Sequence, residues 1–384
     1  MTVSLVNFDG CGMGDLSRCT RTNGSPTAVT TPTPQYDDYC YELDINDFVV
    51  FDMSAVGTPV GWKVSFWIRF EGTSTSTTKA FIVGNSGDII TDDGSIGFRT
   101  VSDTLTLVDE TGSDIHTGPS ISADTWYFVE LYFVESATGA YGFRVNGGTE
   151  YTGTGDFSTG TTPDEVRFRG RGLNHHVNSF AAWEAESGDT LDFTTGIDGE
   201  CGVKTYQPGT GSTQNTVFGG GIDQGSVADL DDRPWTVEAT PVGITIAGQA
   251  NEGWDCDATS GNQYNGPSGD SDIGTIEAAM SMMWAKRGNG SGTTHYIMVG
   301  RSGAAMSVYA KTLTTAYALF TQINTAGETP STSQYSAVGL QKDSGGREIL
   351  VGDLGCSILF AAPAAAAAPF LPYHARQPDV RRLM

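Results

Sequence analysis

Apolar and polar residues alternate along several stretches of the chain. In WKVSFWIRF, Trp62, Val64, Phe66, Ile68 and Phe70 fall on one face, and Lys63, Ser65, Trp67 and Arg69 fall on the other. A period of two predicts a half-buried strand, because successive side chains of a strand point to opposite faces. TWYFVELYFV (125–134) is apolar almost throughout and rich in aromatic and β-branched residues, which predicts a strand covered on both faces. GAYGFRVNGG places Tyr141, Phe143 and Val145 on one face. It closes on Asn146-Gly147, the pair that suits a two-residue type I′ hairpin turn. DEVRFRG (164–170) reads as a further short strand.

The chain also repeats itself. FDGCGMGDL (8–16) is echoed by IDQGSVADL (222–230), with Asp9 on Asp223, Asp15 on Asp229 and Leu16 on Leu230. Further echoes follow in the same order. Cys40 in YCY meets Cys256 in DCD, Trp67 meets Trp284, and Gly84 meets Gly300. ESATGAYGFRVNG (135–147) resembles KDSGGREILVGD (342–353), and SFAAW (179–183) resembles LFAAP (359–363). Ordered matches whose spacing shortens only twice predict a tandem duplication with a trimmed second copy. TIEAAMSMMWAKR (275–287) suits a helix by propensity. Its alignment with WKVSFWIRF predicts a strand instead.

These patterns predict an all-β chain of two tandem antiparallel jelly-roll sandwiches, the second smaller, with an extended C-terminal arm. The expected boundaries are 1–198 for the first sandwich and 199–214 for a Gly- and Thr-rich linker. The second sandwich covers 215–363 and an Ala- and Pro-rich arm 364–384. At 384 residues the chain exceeds what one core usually supports, about 250–300 residues. It has 50 glycines, 17% charged residues and a net charge of −24. Such acidity argues against nucleic acid as a partner, because phosphates would be repelled. No window reaches the roughly 20 apolar residues of a membrane helix, and Met1 is followed by nothing like a secretory signal. The six cysteines form no C-x-x-C pair. They read as free buried thiols, with a Cys11–Cys19 or Cys11–Cys40 bridge as the alternative.

The succession VSFWIRF, AFIVGNSG, GFRTVSDTLTLVDETG and ISADTWYFVELYFVESATGAYGFRVNGG resembles the laminin-G-like, concanavalin-A-like jelly-roll superfamily. Trp126 matches that family's tryptophan at the start of the central strand, and Asn146-Gly147 its V-N-G hairpin. The resemblance covers residues 1–195 well and 215–363 faintly. NFDGCGMGDL is similar to the opening of tailed-phage virion proteins that carry such domains. What the resemblance implies is a virion protein: a tail, neck or capsid appendage, made in the host cytoplasm. Its partners would be its own copies and other virion proteins, with host-surface polysaccharide as a ligand. A secreted or surface lectin is the alternative, and a glycan-cleaving enzyme comes third.

The residues give little sign of catalysis. Glu184 and Glu186 in WEAESGD share a strand face, but no third acid follows, so they read as a solvated strand end. The NHH pair, His175 and His176, would point to opposite faces of a strand and reads as a surface loop. No nucleophile elbow or phosphate loop is present. The chain is therefore expected to be non-enzymatic and to need no cofactor, calcium being the exception considered. Calcium would sit at Asp92 and Asp93 in TDDGS, or at Asp229, Asp231 and Asp232 in DLDD. Glycan binding needs an exposed ring against which sugar C–H faces stack; Trp183, Trp235 and Trp254 are the candidates. The arm offers Phe370, Leu371 and Tyr373 with Arg376, Arg381 and Arg382, groups that would dock on an acidic neighbouring subunit.

Overall fold

The computed structural model describes residues 3–206, apart from 12–15, 17, 56, 73–74, 77, 86–95, 159–161 and 171–173. Beyond that it describes 214–216, 222–223, 254–256, 262–265, 275–287, 294–301, 307–312, 318–324, 336–342 and 349–362. The first part contains β1 (Ser4–Asp9), β2 (Arg21–Asn23), β3 (Thr27–Val29), β4 (Cys40–Leu43), β5 (Phe48–Asp52), β6 (Pro59–Phe70), β7 (Phe81–Gly84) and β8 (Ile96–Val101). It continues with β9 (Thr104–Asp109), β10 (Asp114–Ser120), β11 (Thr125–Val134), β12 (Gly139–Val145), β13 (Tyr151–Gly155), β14 (Glu165–Arg169) and β15 (His175–Glu186). Then come β16 (Cys201–Tyr206), β17 (Gln214–Thr216), β18 (Ile222–Asp223), β19 (Trp254–Cys256), β20 (Asn262–Asn265) and β21 (Ile276–Arg287). The last are β22 (Thr294–Arg301), β23 (Ser307–Thr312), β24 (Ala318–Asn324), β25 (Ser336–Lys342) and β26 (Ile349–Ala361). Among the described residues no helix is long and apolar enough to cross a membrane.

Sheet I runs β13-β12-β11-β6-β15-β4-β3, with β1 also on β15, and sheet II runs β10-β9-β8-β7-β14-β5-β2. The alternation read in β6 sends Trp62, Val64, Phe66, Ile68 and Phe70 inward, against Val49, Phe51, Phe81, Phe98 and Phe168 of sheet II. Phe66 stacks on Phe81 at 4.4 Å, and Phe168 meets Phe66 edge-on at 5.1 Å. One extra residue in β15, Ser179 with φ of 49°, interrupts its ladder with β6. That bulge shifts the phase of the strand, so Val177 and Phe180 both reach the core. The hairpin after β12 has φ of 52° at Asn146 and 62° at Gly147, as a type I′ turn requires. Cys11, Cys40 and Cys201 are free thiols, so neither bridge forms.

The second part repeats the first. Sheet III runs β18-β19-β26-β21-β24 with β16 on β26, and sheet IV runs β17-β20-β25-β22-β23. These orders match β3-β4-β15-β6-β11 with β1 on β15, and β2-β5-β14-β7-β8. TIEAAMSMMWAKR is a strand, β21, as its alignment predicted. β6 and β21 each carry one unpaired residue near their starts, Val60 and Glu277, and counting from either gives Trp67 and Trp284 the same place. Counterparts of β9, β10, β12 and β13 are absent among the described residues, so the second sandwich is the smaller.

Not every echo marks equivalent residues. The counterpart of β1 is β16, inside the segment read as a linker, so FDGCGMGDL and IDQGSVADL do not correspond. β26 is the counterpart of β15, not of β12. The same ladders equate Phe360 with Glu186 rather than with Phe180. These short stretches are rich in Gly, Asp and Ala, which any turn-dense β protein reuses.

The outer face of sheet I is covered too. Phe8, Trp67, Phe128, Ala181 and Trp183 pack with Ile197, Cys201, Val203, Ala278, Met280 and Leu359. The face of β6 that reads as polar is therefore buried along most of its length. Lys63 has no exposed surface; its Nζ donates to the carbonyl oxygens of Phe193 (2.7 Å) and Ile197 (2.6 Å).

Candidate functional site

One end of that outer face carries polar groups beside the apolar cluster, against whose edge Trp126 packs. The ladders put Trp126 of β11 beside Arg69 of β6, Arg69 beside His176 of β15, His176 beside Glu42 of β4, and Glu42 beside Thr27 of β3. Directly opposed residues share a face, so these five side chains form one row across five strands. Glu71 and Asp124 flank the row just beyond the ends of β6 and β11. Backbone bonds fix both: Glu71 N–H donates to Asn174 O (3.0 Å) and Asp124 N–H to Phe70 O (2.7 Å).

Arg69 organises the middle. Its Nη2 donates to Asp124 Oδ1 at 2.6 Å, and its Nη1 lies 3.9 Å from Glu71 Oε1. The same Nη1 lies 3.4 Å from His176 Nδ1. Arginine can only donate, so Nδ1 accepts and the neutral ring carries its proton on Nε2. His176 Nε2 points between two carboxylates, 3.7 Å from Glu42 Oε1 and 3.9 Å from Glu71 Oε1, and makes no hydrogen bond. The His176 side chain is 1% exposed, against 32% for Glu42 and 37% for Glu71. The imidazole thus forms the floor and the carboxylates the rim. Burial, with Arg69 and then His175 adding to it, pushes His176 down to about 4, so the ring is neutral at pH 7. Burial raises the Glu42 carboxyl, and the charges of Asp44 and Glu71 add to the rise. At the far end, half-buried Trp126 is held by a bond from Nε1 to Thr33 O (3.1 Å).

The NHH pair is not a surface loop. Both histidines lie in β15 and are buried, on opposite faces as adjacent strand residues must be. His175 faces inward, 4.8 Å edge-on to Phe70, with Nδ1 2.8 Å from Arg169 O. The Glu184–Glu186 pair also differs from a solvated strand end, since Glu184 is 1% exposed opposite Trp62. Only Glu186 is exposed. A Cβ on Gly57 would lie 1.9 Å from Glu186 Oε1 and 3.3 Å from Glu184 Oε1, so both acids crowd one glycine.

Of the tryptophans singled out in the sequence, Trp183 is 4% exposed, with Lys63 Nζ 5.5 Å from its ring centroid. Trp254 lies in β19, with its side chain outside the described residues, as Trp235 is altogether. Asp92, Asp93, Asp229, Asp231 and Asp232 lie outside them too, as do arm residues Phe370, Leu371, Tyr373, Arg376, Arg381 and Arg382. The ring that stands beside polar groups is Trp126. Its sequence signal was the break from polar loop to apolar strand at Asp124-Thr125-Trp126; its neighbours appear only when the strands are paired.

No family model matches the chain. No curated protein matches it. Solved structures do match, 194 chains in all. The receptor binding domain of botulinum neurotoxin mosaic serotype C/D is 15% identical with a TM-score of 0.32, over 43% of this chain and 43% of that one. The chain therefore spans less than half the length of the toxin domain. A carbohydrate esterase from the Shiga toxin-encoding bacteriophage phi24B is 11% identical with a TM-score of 0.34, over 48% of this chain and 100% of that one. An endo-beta-1,4-glucuronan lyase from Trichoderma reesei is 10% identical with a TM-score of 0.32, over 47% and 96%. At TM-scores this low the matches carry no argument about what this chain does. Their presence corrects one expectation. The sequence was read as non-enzymatic, yet an esterase, a glucuronan lyase and an alginate lyase are among the matches, so that exclusion does not stand.

Proposed function

We propose that this protein recognises host-surface polysaccharide as a component of a tailed-phage virion, and that the row from Trp126 to Thr27 is where the sugar binds. The observation that carries the reading is the row itself. A sugar ring offers an apolar C–H face and a rim of hydroxyls. Trp126 supplies a ring for the face. Arg69 donates to sugar oxygens, and Glu42, Glu71 and Asp124 accept from hydroxyls. All sit on strands or at their ends, so the groups are held in place before a ligand arrives. The acidic, glycine-rich tandem sandwich supports the virion part of the reading.

The test is binding of the purified chain to capsular polysaccharides and lipopolysaccharides of candidate hosts on a glycan array, with sugar analysis of the supernatant to detect cleavage. Trp126→Ala is expected to weaken binding by about tenfold, roughly the 1.4 kcal/mol scale of one ring contact. Full affinity in that variant would move the site elsewhere. Antibody labelling of purified particles tests the location, and unlabelled particles would overturn it.

A further inference from the structure

We propose that Glu42, Glu71 and His176 form a binding site for a first-row divalent metal ion of the zinc type. One ligand atom from each residue can be chosen so that all three lie within 4.8 Å of one another. Donors about 2.0–2.2 Å from one ion stand at most about 4.4 Å apart, so the two rim carboxylates need turn inward only slightly to share it with the histidine. The second observation is independent of the acids. His176 is 1% exposed, its Nε2 has no hydrogen-bond partner, and that atom is aimed between the two carboxylates. A buried polar atom without a partner costs free energy that a ligand would recover.

The donor set selects the ion. One imidazole nitrogen with two carboxylates suits zinc, cobalt, nickel or manganese, whereas calcium takes six to eight oxygens. Three protein ligands leave a further position on the side where Glu42 and Glu71 are exposed. The scaffold is rigid. Glu42 and His176 are opposed in the β4–β15 ladder, and Glu71 is tied to Asn174 through its backbone.

Arg69 opposes the ion in two ways. It brings a positive charge 3.9 Å from Glu71, and it donates to His176 Nδ1 at 3.4 Å. An ion on Nε2 requires the ring proton on Nδ1, so that contact must be given up. Arg69 keeps Asp124 when it does so. Glutamine in its place carries no charge and has an oxygen that can accept the Nδ1 proton. Removing the arginine is therefore expected to tighten binding, the reverse of what loss of an ordinary structural residue does.

The experiment uses the full chain, dialysed against chelator, and isothermal titration with zinc chloride. Cobalt(II) absorption in the visible region is the second readout. The wild type is expected to bind zinc with a component that His176→Gln abolishes and that Glu42→Gln or Glu71→Gln weakens about tenfold or more. Arg69→Gln is expected to tighten it about tenfold, and to raise the cobalt absorption at sub-saturating metal. Metal-free circular dichroism and urea midpoints establish that each variant folds. If His176→Gln does not fold, the exposed Glu71→Gln and the Arg69→Gln pair decide the matter. Zinc binding that is absent, or that neither Glu71→Gln nor Arg69→Gln alters, would overturn the proposal. No glycan enters these measurements, so their outcome leaves the sugar-binding reading untouched.

Discussion

Replacing Glu130 by glutamine takes one negative charge out of the middle of sheet I and leaves a lysine behind. Lys63 Nζ lies 3.4 Å from Glu130 Oε1, and neither side chain has exposed surface. Burial pulls the Lys63 ammonium below its ordinary range, while the Glu130 charge holds it up. Glu130 also accepts from Arg144 Nη2 at 3.0 Å, and the same Nη2 reaches Asp198 at 2.7 Å. In the variant Arg144 keeps Asp198, but Lys63 keeps only the two carbonyls of Phe193 and Ile197. Removing one partner of a buried pair costs about 3–5 kcal/mol. The amide oxygen retains one bond to a donor, so the expected loss is about 3 kcal/mol. A unit of this size melts lower by about 2–4 °C per kcal/mol, which gives a fall of about 6–12 °C. Urea unfolding and scanning calorimetry measure it. Lys63→Met added to Glu130→Gln should recover part of the loss, because the charge that needed a partner is gone. A single variant within about 1 kcal/mol of wild type, with no recovery in the double, would show that water already screens the lysine or that it sheds its proton.

Two further changes probe the seam between the sandwiches. Gly196 has φ of +66° and a Cβ there would lie 2.4 Å from Trp183 Cε2, so Gly196→Ala should destabilise by about 1–3 kcal/mol; an unchanged thermal midpoint would mean that the loop over Trp183 simply yields. Burial lifts the Asp37 carboxyl from 3.8 to about 8, although it accepts from Thr205 N–H at 2.8 Å. The folded chain therefore holds this proton more tightly than the unfolded one, and the associated stability is present in acid and lost as pH rises from about 4 through 8. Asp37→Asn should flatten the fall in urea midpoint over that window; equal slopes for both proteins would refute the assignment.

Alternation in WKVSFWIRF gave β6 and its inward residues directly, because a period of two is a local property of the chain. The burial of Lys63 and Trp67 on the other face was not legible, since the cover is supplied by Cys201, Val203 and Met280, far along the sequence. The candidate site shows the same limit. His176 reads as one of a pair with its neighbour His175, whereas its real companions, Arg69 and Glu42, are set by the ladders with β6 and β4. The duplication was legible for a mixed reason. Trp67 and Trp284 mark equivalent places, but Asp9 and Asp223 do not. Turn residues recur too freely to fix a register, and a strand order cannot be read from them.

The place of β26 has a consequence for synthesis on the ribosome. It is the last described strand in the chain, and it lies between β19 and β21 with β16 also paired to it. Sheet I has its own central strand by Glu186 and can close early. Sheet III cannot form until Ile349–Ala361 have been made. At about 5–20 residues per second, the interval between β15 and β26 is roughly ten to thirty seconds. Until then the cover over Phe8, Trp67 and Phe128 lacks Leu359, and β16, which carries Cys201 and Val203, lacks the strand it pairs with. A nascent chain in that state presents a partly covered apolar wall. A chaperone, or a second nascent copy on the same message, meets that wall before the chain's own second half does.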